Sequence, residues 1–180
     1  MKQVKFSMHR SGAIFTVLFI TMFLVFSTGL KAQSPTNFSG KWEFDKSKSD
    51  KDENGDASFD GKIILQIRQG SDTISFANTY IMPGKPAFNT HPDLFLLNGK
   101  VTADNSGSDP AKKFVKWSPD KKNLITNFIM TAVVDGASMD FVIMDTYKLS
   151  NDGKTLTIED LHRSKIGGEK TVKKVYNKKV

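Results

Sequence analysis

The stretch Tyr147-Lys148-Leu149-Ser150-Asn151-Asp152-Gly153-Lys154-Thr155-Leu156-Thr157-Ile158 decides the fold class. Asn151-Asp152-Gly153 is the clearest turn in the chain, because these three residue types accept the backbone that a tight reversal requires. Upstream, residues 139–149 alternate, with Phe141, Ile143, Tyr147 and Leu149 in phase. Downstream, residues 155–162 form a second run rich in β-formers. Successive side chains of a strand point to opposite faces, so two alternating runs about a short turn predict an antiparallel hairpin.

The same pattern continues in both directions. Gly40–Phe44 puts Trp42 and Phe44 on one face. In Lys62–Gln69, Ile63, Leu65 and Ile67 alternate against Ile64, Gln66 and Arg68. Gly70-Ser71 turns the chain into Thr73–Ile81, where Ile74 and Phe76 are in phase. Further strands are predicted at 114–118, 123–134 (turned by Asp135-Gly136) and 171–176, with one or two more in 94–102. No window after residue 32 carries a helical stripe. Eight clear strands and up to two more, joined by short turns, predict an all-β antiparallel meander of about 8–10 strands. Closure as an up-and-down β-barrel would remove the exposed edges. A two-sheet sandwich is the alternative.

Two stretches interrupt the meander. Residues 46–61 are polar and charged and predict a loop. Residues 82–93 hold Pro83, Pro86 and Pro92, which cannot donate to a sheet ladder. They predict a long irregular loop leading into the apolar Leu94-Phe95-Leu96-Leu97, at the mouth of any interior. His91 in this loop is a candidate for the rim of a pocket.

Residues 1–32 read as a secretory signal peptide. Lys2, Lys5 and Arg10 make a basic start, an uncharged run follows, and small residues precede Gln33. The folded domain is then 33–180, exported to a periplasmic or extracellular compartment, with no membrane span after cleavage. A retained anchor is the alternative, at the short end of spanning length. The chain has no Cys, which excludes disulfides, lipid acylation at Cys and thiolate metal sites. Subtracting the leader's four Lys and Arg from the net charge of +7 leaves +3. That excess lies in 163–179, and no basic patch with interleaved aromatics supports nucleic-acid binding.

Asn37-Phe38-Ser39-Gly40-Lys41-Trp42-Glu43-Phe44 resembles the opening strand of the lipocalin and fatty-acid-binding protein superfamily. Val172-Lys173-Lys174-Val175-Tyr176-Asn177-Lys178 is similar to its closing strand, where that family carries an inward Arg-x-Tyr that meets a ligand carboxylate. Lys174 and Tyr176 hold the matching positions. Together with Asp45-Lys46-Ser47-Lys48 and the hairpin quoted above, these segments look like small exported bacterial lipocalin-like proteins. The resemblance implies a barrel with an interior ligand. The chain departs from it in two respects. Residues 46–61 are too short and polar for the two helices of the fatty-acid-binding branch, and Lys lacks the two-pronged geometry of Arg.

Catalytic signals are absent from the sequence. There is no G-x-S-x-G, and Glu159 and Asp160, being adjacent on a strand, face opposite ways. His91 and His162 are far apart and make a poor metal pair. A weak calcium candidate, Asp50, Asp52 and Asn54, fits the start of an oxygen-ligand loop, but Gly61 stands where a bidentate Glu is required. The plainer reading is a solvated turn. The expectation is therefore a non-enzymatic binding module without cofactor, taking a small hydrophobic or fatty-acid-like molecule. Its ligand-binding candidates are Lys174, Tyr176, Tyr147, Asp145 and Phe95. If Tyr176 faces inward, Lys174 does too, and its ammonium needs a partner: Asp145, or a ligand carboxylate. A solid-packed envelope protein with a structural or interaction role is the alternative.

Overall fold

In the computed structural model, residues 34–51, 56–105, 107 and 109–179 are described. The leader reading (1–32) and the calcium candidates Asp52 and Asn54 lie outside them. Among the described residues there is no α-helix, only one 3₁₀ turn at Asp56–Ser58, and no helix long and apolar enough to cross a membrane. Eleven strands are present: β1 (Gly40–Phe44), β2 (Lys62–Gln69), β3 (Thr73–Ile81), β4 (Phe88–Asn89), β5 (Asp93–Leu96), β6 (Thr102–Asp104), β7 (Ala111–Trp117), β8 (Leu124–Val134), β9 (Ala137–Leu149), β10 (Thr155–Ser164) and β11 (Gly168–Lys179). The fold class is all-β, and every ladder is antiparallel.

The turns act as their residue types require. At the β8–β9 junction Asp135 and Gly136 both have positive φ (52° and 76°). This is the two-residue reversal whose twist matches the flanking strands. Between β9 and β10, Gly153 takes φ 66° and donates its N–H to the Ser150 carbonyl at 2.9 Å. Asp152 accepts from the Ser150 hydroxyl at 2.6 Å and from the Lys154 N–H at 3.0 Å. With the turn locked, the register mirrors outward: Leu149 faces Leu156, Tyr147 faces Ile158, and Asp145 faces Asp160.

The hydrogen-bonded order is β4-β3-β2-β1-β11-β10-β9-β8-β7-β6, with β5 also pairing on β3. First and last strands are therefore neighbours. Asp45, at the end of β1, tightens that seam: its N–H donates to the Val175 carbonyl, and its carboxylate accepts from Asn177, Ser47 and Lys48. These contacts hold the Asp45 carboxyl well below the usual range, led by the Ser47 hydrogen bond.

The sheet also curls. Phe76 on β3 and Tyr147 on β9 are five strand spacings apart along the ladder, about 24 Å in a flat sheet. Their rings nonetheless stack at 4.7 Å. The inward residues of nine strands accordingly merge into one core around Trp42, Leu65, Ile74, Val115, Leu124 and Leu156. Trp42 is fully buried and its indole N–H donates to the Phe38 carbonyl at 3.0 Å.

Closure into a barrel, expected from the sequence, does not occur: no ladder joins the β4/β5 edge to β6 or β7. The edge strands have two, four and three residues, and Pro92 and Pro110 remove donors beside them. A side chain spans the gap instead. Lys113 of β7 reaches Asp104 at 2.8 Å and Asp93 of β5 at 3.3 Å, and lies 5.5 Å from the Phe95 ring centroid. Strand number is likewise corrected from 8–10 to eleven, the additional pieces being short edge segments.

Candidate functional site

Under the curled sheet is a cavity of about 380 Å³. Its apolar lining comes from Leu65, Phe76, Ile143 and Ile158, with the rings of Tyr147 and Tyr176. Its polar lining comes from Asn78 on β3, from Asp145, Asp160 and Lys174 on β9–β11, from Asp56 in the 3₁₀ turn and from Asp93 on β5. His91 and His162 also line it. An adjoining lobe of about 260 Å³ shares Phe76, Asp93, Ile143, Asp145 and Tyr147 and extends to Phe95 and Phe128.

Strand alternation explains which groups meet here. Along β9, β10 and β11 every second residue faces in, so the inward rows read Ile143-Asp145-Tyr147, Ile158-Asp160-His162 and Lys174-Tyr176. The register then sets Asp145 directly opposite Asp160 and places Lys174 opposite Ile158, one diagonal step from Asp160.

Lys174 Nζ lies 2.9 Å from Asp160 Oδ2 and 3.2 Å from Asp56 Oδ2. This corrects the expected Lys174–Asp145 pairing. Asp160 sits next to Lys174 across a β10–β11 pair, whereas Asp145 is a strand further away. Burial pulls the Lys174 ammonium downward, but the hydrogen bond to Asp160 and the charges of Asp56 and Asp160 outweigh it and hold the group above its ordinary range. The ammonium proposed as a ligand anchor is thus already shared by two carboxylates of the protein.

Asp145 has no such cation. Burial, and then the charge of Asp160 opposite, push its carboxyl up to about 7, against a weaker downward pull from Lys174. Its hydrogen bond from the Tyr147 hydroxyl is long, 3.4 Å. Burial also keeps the Tyr147 and Tyr176 hydroxyls protonated far above their usual range, so both are donors. Two buried acceptor atoms on the wall, Asn78 Oδ1 and Asp160 Oδ1, have no hydrogen-bond partner. His162 Nε2 stands 2.8 Å from Asp160 Oδ1, an ion pair when the imidazole is protonated.

Of the sequence candidates, Lys174, Tyr176, Tyr147 and Asp145 line the main cavity, and Phe95 lines the adjoining lobe. Asp50 is occupied elsewhere: its carboxylate accepts the Lys173 N–H at 2.8 Å and its N–H donates to the Lys173 carbonyl at 2.9 Å, like an added rung on β11. Among the described residues no group of three or more His, Asp and Glu is arranged to hold a metal ion. Asp160, Asp56, Asn78 and Asp93 are site residues that the sequence reading missed. Asp160 was within reach, since mirroring the strands about the 151–153 turn places it opposite Asp145. Asp56 lies in an aperiodic loop and carries no such signal. Neither protein-family models nor curated proteins match the chain.

Proposed function

We propose that the protein is an exported, lipocalin-like binding module that holds a small amphipathic molecule beneath its curled sheet. One observation carries the reading: a cavity of about 380 Å³ lined both by apolar and aromatic side chains and by a set of buried polar and charged groups. That volume and lining suit a small-molecule site. A solid-packed structural protein has less support, because its own side chains would fill this space. β1 pairs with β11, so the strands that carry Trp42 and Tyr176 are neighbours. The role is binding rather than catalysis.

Native mass spectrometry of gently purified protein, and titration with the neutral dye Nile red, test the reading. Saturable dye binding that a co-purified small molecule displaces is the expected result. Absence of both a bound molecule and saturable dye binding would remove the basis for a binding function.

A further inference from the structure

We infer that the polar group of the ligand is a protonated amine, received by Asp145 together with the free acceptor atoms of Asp160 and Asn78, while its apolar body lies against Phe76, Tyr147 and Tyr176. This deepens the binding function above and rests on it.

The argument is one of complementarity. A buried polar atom without a partner is costly, so orphaned acceptors in a cavity mark where a donor is to come from. Here both orphans are oxygens, and Asp160 is only 7% exposed. Lys174 already spans Asp160 Oδ2 and Asp56, and the imidazole of His162, 2.8 Å from Asp160 Oδ1, is a cation only when protonated. Two carboxylates thus share one ammonium, and Asp145 is left opposite another acid with no ion pair. An entering carboxylate would meet this wall with the wrong sign and would have to displace Asp160 or Asp56 from Lys174. An entering ammonium would supply three donors where acceptors are in excess, and would relieve the repulsion between Asp145 and Asp160.

The rest of the lining agrees. The stacked Phe76–Tyr147 pair and Tyr176 present aromatic surface beside the acids. Such faces accept an apolar ring, and attract a nearby cation through their quadrupoles. The shared chemistry is that of a small organic amine with a ring-sized body.

The experiment is isothermal titration calorimetry on the purified protein with 2-phenylethylamine, 2-phenylethanol and 3-phenylpropanoate, which share a phenyl body and differ in head group. The expected order is amine tightest, by about tenfold or more over the alcohol, the worth of a charge-assisted hydrogen bond. The acid should bind weakest. Asp145→Asn, with folding checked by circular dichroism, should bring the amine down to the level of the alcohol. An acid that binds as well as the amine overturns the inference, as does an amine preference that survives Asp145→Asn. If Nile red binds and none of the three phenyl compounds does, the amine assignment fails and the binding function stands. If the dye fails too, both fall.

Discussion

Asp145 carries a cost that varies with pH. In the unfolded chain its carboxyl titrates near 3.8, and in the fold near 7. Below about pH 3 it is protonated in both states and costs nothing. Between those values the unfolded chain releases a proton that the folded protein keeps, so stability falls by up to about 1.4 kcal/mol per pH unit and levels off above 7. The facing groups are Asp160 and His162 on β10, Lys174 and Tyr176 on β11, Tyr147 on β9 and Asp56 and Asp93 beside them. Asp145→Asn should therefore be more stable than wild type by up to about 4 kcal/mol at pH 8, and close to it near pH 3. Urea midpoints at the two pH values measure this, and an equal difference at both would contradict the raised carboxyl. Lys174→Met acts in the opposite direction, leaving Asp160 and Asp56 side by side without their cation. With the lysine side chain 23% exposed, the loss should be about 2–4 kcal/mol, somewhat below that of a wholly buried pair. Adding Asp160→Asn to it should recover part of the loss, a coupling that a double-mutant cycle reads.

At the scale of elements, alternation and turn chemistry carried most of the information. The predicted bounds of Gly40–Phe44, Lys62–Gln69 and Thr73–Ile81 are those of β1, β2 and β3. In these strands one face is buried and the other is not, which is the condition that writes a period of two into a sequence. Strand β4 escaped notice because a two-residue rung inside a proline-rich loop has no period to read. The acidic wall was legible one residue at a time but not as a cluster. Asp145 stands out by sharing a face with Phe141 and Tyr147, while its opposition to Asp160 emerges only when the register is counted across the 151–153 turn. That turn is testable. Gly153 has φ 66° and open space around it, so a Cβ there meets no neighbour and the cost is backbone alone. Gly153→Val should destabilise by about 1–2 kcal/mol and Gly153→Asn by clearly less, since Asn tolerates the left-handed region. Thermal unfolding of the pair separates backbone strain from packing.

At the scale of the whole molecule, alternation tells each strand which side faces in, but not whether the last edges meet. That depends on edge length and donors, and here the short β4, β5 and β6 leave Lys113 to bridge the gap. Trp42 acts at this scale too. It pairs with Leu65 on β2 and Lys178 on β11, and so ties the first and last of the described strands to the core. Trp42→Ala should cost about 3–5 kcal/mol by chemical denaturation, and a loss under about 1 kcal/mol would contradict its central place. The seam it guards has a kinetic consequence. Asp45 and Asn177 bond across 132 positions of chain, whereas β8–β9, β9–β10 and β10–β11 are each joined by a local turn. Distant loops close at a greater entropic cost than near ones, so the hairpins form first and β1 waits for β11. In pulse-labelled hydrogen exchange during refolding, the amides of Leu156 and Ile158 should gain protection in an early phase. That of Asp45, which donates to the Val175 carbonyl on β11, should gain it only in the last one, leaving the β1–β11 seam open until folding ends.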